Sequence, residues 1–183
     1  MNTFSNPQEI VEQLPIFAGQ KVADFGAGSG SYTFLLAKKV AGGQSGAVYA
    51  VDVQQNMVDS IVAEARKQNL THVHGVWGDL EAPKGSRLRD ASIQAVLMAN
   101  TLFQTEHPAK VIREAQRVLA PDGLLIIIDW SESFGNIGPK EDHVITQEAA
   151  RLLIEEYNFE IEKPFDAGEH HYGIIARKQL QTH

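Results

Sequence analysis

The sequence predicts an α/β fold built on a mainly parallel sheet. Three observations carry this. Short apolar runs alternate with helix-like stretches through most of the chain. The run LLIII around residue 126 is apolar at every position, as in a strand covered on both faces. The last two apolar runs are joined by a turn too short for a parallel crossover, so they must close as an antiparallel hairpin.

Taken in order, NPQEIVEQL opens a first helix. Asn6 is its N-cap, Pro7 takes the first helical position, and Glu9 completes a capping-box-like spacing. KVADF (21–25) is the first strand, GAGSGS follows, and YTFLLAKKVA is the next helix. AGGQSG reads as a loop and AVYAVDV (47–53) as the second strand. QQNMVDSIVAEARKQNL is a long helix with Met57, Val58, Ile61, Val62 and Ala65 along one face. THVHGVWGD holds a third strand and IQAVLMAN (93–100) a fourth. His107, before Pro108, reads as the cap of the helix AKVIREAQRVL, which stops at a turn, Pro121-Asp122-Gly123. LLIIIDW (124–130) is the fifth strand. A loop over 131–146, a helix QEAARLLIEEYN, and the runs FEIEKPF and HHYGIIARK complete the chain, the last two turning at Asp166-Ala167-Gly168. No linker divides these elements, so residues 1–183 read as one domain.

Composition narrows the function. The 183 residues carry a net charge of −7, from 16 basic and 23 acidic side chains, which leaves no footprint for a phosphate backbone. The cluster Lys84, Arg87, Arg89 reads as a solvated loop, and no nucleic-acid partner is expected. There is no cysteine, which removes disulfides, thiolate metal sites and cysteine nucleophiles. The histidines lack the spacing of a metal site, so no metal is expected. No leader is visible and no apolar run approaches the ~20 residues a membrane span needs. The expectation is a cytoplasmic protein.

The strongest motif is VADFGAGSGS (22–31), with Gly26, Gly28 and Gly30 between a strand and a helix. Glycines there allow a sharp turn and close approach of a ligand to the backbone, at a helix end rich in free N–H groups. Asp52, at the end of the next strand, lies 22 positions beyond Gly30, where a carboxylate grips ribose hydroxyls. The dinucleotide pattern GxGxxG would need glycine at position 31, and Ser31 stands there. A carboxylate at Asp24, beside the loop, opposes a diphosphate and suits a ligand carrying an ammonium and a sulfonium. S-adenosylmethionine has both. A plainer role for Asp24 is to cap nearby N–H groups, and a plainer one for Asp52 is a helix N-cap.

VADFGAGSGS, VYAVDV, WGDLE, LMANTLFQTEHP and HPAKVIREAQRVLAPDGLLIIIDW, in that order, resemble the class I S-adenosylmethionine-dependent methyltransferases. The last segment resembles the ubiquinone and menaquinone C-methyltransferase branch and its small relatives. The resemblance implies a Rossmann-like, doubly wound seven-stranded sheet of order 3-2-1-4-5-7-6, helices on both faces and the last strand antiparallel. It implies S-adenosylmethionine as cofactor. Asp24, Gly26, Ala27, Gly28 and Gly30 would cradle it, Asp52 would take the ribose, and Val53 would face the adenine. Gly78, Asp79 and Leu80 would meet the adenine edge, Asp79 alternatively serving only its own turn. Asn100 would line the methionine part. Where relatives that methylate nucleobase amines carry prolines, this chain has Asn100-Thr101-Leu102-Phe103. Arsenite-methylating relatives need cysteines, which are missing. The expected reaction is therefore methyl transfer to a small-molecule acceptor held in line with the sulfonium methyl. The alternatives are a non-catalytic partner or sensor that binds S-adenosylmethionine, and a methyltransferase acting on protein or RNA.

On the acceptor side the candidates are Phe103, Trp130 and Tyr172. No residue declares itself as a general base; His143 and His171 are the candidates. The 131–146 loop, with Gly135, Gly138, Pro139, Phe134 and Ile137, is expected to close over ligands. The short amino-terminal helix or a second subunit of a homodimer would serve as other covers.

Overall fold

The computed structural model describes residues 5–135 and 138–180. Its chain order is α1 (Pro7–Gln13), β1 (Lys21–Phe25), α2 (Ser31–Val40), β2 (Ala47–Asp52), α3 (Gln55–Lys67), β3 (Val73–Trp77) and β4 (Ile93–Ala99). A 3-10 turn (Leu102–Gln104), α4 (Pro108–Val118) and β5 (Leu119–Trp130) follow. A second 3-10 turn (Glu141–His143), α5 (Gln147–Glu156), β6 (Phe159–Asp166) and β7 (His171–Lys178) complete it. The seven strands form one sheet of order β3-β2-β1-β4-β5-β7-β6. Only β7 runs against its neighbours, β5 and β6. This is the doubly wound, Rossmann-like arrangement that the family resemblance implies.

Side-chain alternation along the central strands divides the core in two. Val22, Val48, Leu97, Ile126 and Ile128 face one way, against Leu36 and Val40 of α2 and Ile61 of α3. Phe25, Val96, Met98, Leu125 and Ile127 face the other, against Val111, Ile112 and Ala115 of α4 and Ile154 of α5. Both faces of β5 are thus buried, which is why its sequence shows no alternation.

Helix ends are tied by charge. Asn6 Oδ1 accepts the Gln8 amide at 3.1 Å, and the Asn6 side-chain amide donates to Glu9 at 2.8 Å, so Glu9 braces the cap through its side chain and not through the backbone N–H of a capping box. Lys39 of α2 donates to the carbonyls of Val11 (2.6 Å) and Glu12 (2.8 Å), fixing α1 by its carboxyl end. Lys178 of β7 does the same for α4, donating to Gln116 and Leu119 at 2.6 Å each.

Two local expectations change. His107 occupies the N-cap position of α4, but its side chain makes no capping bond. The Glu81 carboxylate supplies the acceptors instead, taking the amides of Glu106 (3.0 Å) and His107 (2.8 Å). Pro121-Asp122-Gly123 does not separate α4 from β5. The strand already begins at Leu119, opposite Ile93, and the next pair is Ala95 with Leu124. The intervening residues bulge outward, with Asp122 at φ +60° and its carbonyl held by Arg177 at 2.8 Å.

Candidate cofactor and acceptor site

The carboxyl ends of β1 to β4 open on a cleft of about 620 Å³. It brings together Gly26, Gly28, Asp52 and Val53 on one side and Gly78, Asp79 and Leu80 on another. Thr101, Gln104, His107 and Lys110 from the loop after β4 and the start of α4 form the remaining wall.

The glycine loop is shaped by what lies under it. Gly26 has φ +74°, and a Cβ there would stand 2.6 Å from Thr101 Oγ1. Thr101 is buried and anchored through Oγ1 to the Phe25 carbonyl at 2.9 Å. Gly28 and Gly30 are also left-handed, and Gly30 takes the N-cap position of α2 without a capping side chain. Asp52 is 6% exposed; Oδ2 accepts the Gly28 amide and Oδ1 the Gln54 amide, each at 2.8 Å. The N-cap position of α3 belongs to Gln54, so Asp52 is not that helix's N-cap, and it lines the cleft. Val53 is 62% exposed although apolar, which suits a flat apolar ligand beside it. Asp79 accepts the Glu81 amide on Oδ1 at 2.9 Å, so it does serve its own turn while lining the cleft.

Asp24, Ala27, Gly30 and Asn100 are not on the cleft wall. The Asp24 carboxylate lies beneath the loop, 2% exposed, and accepts the Thr33 hydroxyl at 2.6 Å. It therefore braces the first turn of α2. Burial pushes its carboxyl up to about 6, against the Thr33 hydroxyl that holds it down, and the Asp52 charge adds to the rise. Asn100 takes φ +54° at the end of β4; its amide donates to the Ile128 carbonyl at 2.7 Å, and its buried Oδ1 has no partner among the described residues.

The acceptor-side candidates divide. Phe103 lies on the 3-10 turn Leu102–Gln104. Trp130 and His171 are register partners across β5 and β7, with ring centroids 4.3 Å apart. Tyr172 pairs with Asp129 and belongs to the α4–α5 core. His143 is exposed and does not line the cleft. Of the 131–146 loop, Ile137 lies outside the described residues, while Gly138 packs on the Trp130 indole, where a Cβ would be 2.8 Å from the ring.

Three residues were missed by sequence reasoning. Thr101 follows a strand end as many threonines do and carries no signal of its own. Glu81, in WGDLE, could not be linked to residues 106 and 107 without the fold. Asp129 was legible as an acidic residue in IIIDW; buried, it accepts the amides of Trp130 (2.8 Å) and Leu102 (2.9 Å), and burial pushes its carboxyl up to about 6 against those donors.

Residues 23–127 match the family model described as a methyltransferase domain. The chain belongs to the class I S-adenosylmethionine-dependent methyltransferases. Among solved structures, the chain is similar to an S-adenosylmethionine-dependent methyltransferase from Aquifex aeolicus, with TM-score 0.84 and 27% identity over 95% of this chain and 90% of that one. It is 30% identical over 129 residues to a demethylmenaquinone methyltransferase of Lactobacillus johnsonii, covering 68% of this chain and 50% of that protein. It is also 33% identical over 123 residues to an uncharacterized 37.1 kDa transposon protein of Streptomyces fradiae, covering 66% of this chain and 34% of that one. The chain thus spans a third to a half of the length of these two relatives. The family's cofactor is S-adenosylmethionine, and the cleft fits it: left-handed glycines leave room for a ligand against the backbone, and a preset carboxylate stands next to an exposed valine. No helix among the described residues is long and apolar enough to cross a membrane.

Proposed function

We propose that this methyltransferase transfers the methyl group of S-adenosylmethionine to a small-molecule acceptor, chiefly by positioning. The observation that carries this reading is the Asp52 carboxylate, held in the cleft beside Val53 by two backbone amides. The cofactor supplies an already activated methyl group on a sulfonium. The protein therefore has only to bind, orient and exclude water.

In this reading Asp52 accepts from the ribose hydroxyls and Val53 covers the adenine. The second Asp79 oxygen accepts from the exocyclic amine beside Leu80 and Gly78. The loop from Gly26 through Ala27 and Gly28 to Gly30 borders the methionine part, with the Asp24 carboxylate behind it as counter-charge to the ammonium and the Asn100 Oδ1 as an acceptor. Phe103, Trp130 and the 131–146 loop stand on the acceptor side. A cytoplasmic location and a homodimer that covers the acceptor belong to the same reading.

Calorimetric titration with S-adenosylmethionine and with NADH tests the cofactor assignment. Binding of the first alone is expected; binding of NADH alone rejects it. Turnover against a panel of small acceptors then separates an enzyme from a partner or sensor that only binds.

A further inference from the structure

The connection from β3 to β4 is held in a conformation that its residues do not favour. Lys84, Arg87 and Ala91 take φ of +56°, +56° and +49°. Residues with a Cβ rarely adopt this left-handed region, and none of the three is the asparagine or aspartate that tolerates it best. Such strain persists only where the surroundings over-determine it.

The surroundings here are a buried polar network on α4. Glu114 is 4% exposed and Ser86 is fully buried. Glu114 Oε1 accepts the Ser86 amide at 3.0 Å, and the Ser86 hydroxyl donates to the same oxygen. Arg117 donates to both Glu114 oxygens, at 2.6 Å and 2.9 Å. Arg117 Nη1 reaches the Leu88 carbonyl at 2.9 Å and the Asp90 carboxylate. Burial works to raise the Glu114 carboxyl, but Arg117 and Ser86 outweigh it and hold the group below the usual carboxylate range. Removing one member of such a network leaves a buried charge uncompensated, so the arrangement is fixed as a unit.

What the network fixes is one wall of the cleft. Gly85 lies directly against the cleft residues Gly78 and Asp79. A Cβ on Gly85 would stand 1.6 Å from the Asp79 carbonyl oxygen, and one on Gly78 would stand 2.1 Å from the Gly85 carbonyl oxygen. The two segments meet backbone to backbone, with no side chain between them to absorb a shift. The left-handed residues on either side, Lys84 and Arg87, bend the chain so that Gly85 meets the wall while Ser86 meets Glu114. Neither Glu114 nor Arg117 lines the cleft itself.

We propose that Glu114 and Arg117 are positioning residues for the cofactor: through Ser86 and Gly85 they set the place of the Asp79 carboxylate, and with it the recognition of the adenine amine. This rests on the reading above in which Asp79 accepts from that amine. A charge-assisted hydrogen bond weakens steeply as its distance and angle depart from the best values. A wall that moves by a fraction of an ångström therefore loses selectivity for the amine before it loses the ligand.

Calorimetric titration of the full chain with S-adenosylhomocysteine and with S-inosylhomocysteine tests this. The second ligand has a carbonyl oxygen in place of the exocyclic amine, and a carboxylate at Asp79 repels it. The wild type should prefer the adenine ligand by about tenfold or more. Glu114→Gln loses the ion pair with Arg117, and its preference should fall to about threefold or less, chiefly through weaker binding of the adenine ligand. Ser86→Ala removes only the hydroxyl and should show an intermediate preference. Ile154→Ala is the control, a core change on the same face of the sheet; it should lower the melting temperature and leave the preference of the wild type. Full preference in folded Glu114→Gln overturns the proposal; should that variant not fold, full preference in Ser86→Ala does so. An equal loss of preference in Ile154→Ala also overturns it, because the effect would then be general loosening. In each of these cases the Asp79 reading stands. A wild type that binds both ligands equally, or neither, overturns that reading and the proposal together.

Discussion

The Gly28 amide donates to Asp52 Oδ2 at 2.8 Å, so the middle of the glycine loop hangs from the end of β2. The other oxygen of the same carboxylate takes the Gln54 amide, also at 2.8 Å. One side chain thereby shapes the loop and fixes the turn into α3. A mutation at Asp52 will consequently register in both stability and binding.

Asp52→Ala removes an acceptor shared by two backbone amides. A loss of about 1–3 kcal/mol in unfolding free energy is expected. Affinity for S-adenosylmethionine should fall about tenfold or more, since charge-assisted bonds to the ribose would also go. Denaturation and calorimetry measure the two effects separately. Lost stability with an unchanged dissociation constant would remove Asp52 from the ribose role.

Gly26→Ala meets two obstacles, a left-handed φ of +74° and Thr101 Oγ1 at 2.6 Å from the new Cβ. Destabilisation of about 1–3 kcal/mol is expected. Thr101→Ala removes the clashing atoms but not the backbone strain. The double variant should therefore be less destabilised than the sum of the singles. Strict additivity in a denaturation cycle would show that the contact is not the obstacle.

Glu81→Ala leaves the Glu106 and His107 amides without their acceptor at the start of α4. Stability should drop by about 1–2 kcal/mol. Hydrogen exchange at those two amides should accelerate more than at the centre of α4. Equal acceleration throughout the helix would point to global loosening and not to a lost clamp.

Asp24 and Asp129 are both buried with carboxyls raised to about 6 from 3.8. Between those values the native state keeps protons that the unfolded chain has lost. These two groups therefore contribute a loss of stability as pH rises from about 4 to 6 that levels off above. Asp129→Asn should reduce that slope, and Asp24→Asn with it should nearly abolish it, with up to about 3 kcal/mol per group at stake. Urea denaturation at pH 4, 5, 6 and 7.5 checks this; an unchanged slope in the double variant refutes it.

The sheet was legible because its signals are local. The apolar runs at 21–25, 47–52, 93–99 and 124–130 announce buried strands, and the short turn before His171 forces β7 against β6. Pro121-Asp122-Gly123 misled because turn chemistry is the same in a bulge as in a strand boundary; only pairing of Leu119 with Ile93 distinguishes them. In the site, residues adjacent to the glycine motif could be named from spacing. Glu81 and Thr101 could not. Their roles depend on which carbonyl, amide or ring lies opposite after folding, and that information is spread over segments 20 to 80 positions apart.

β7 enters the sheet between β5 and β6, though it is the last of the seven in chain order. During synthesis, β5 therefore has a bare edge of Leu124 to Ile128 until residues 171–178 leave the ribosome. A nascent chain halted before that point presents unpaired amides along the most apolar strand of the molecule, the kind of edge that recruits chaperones or other chains. The growing chain is most vulnerable between the completion of β5 and the arrival of β7, and a stop codon ahead of His171 would leave that edge open for good.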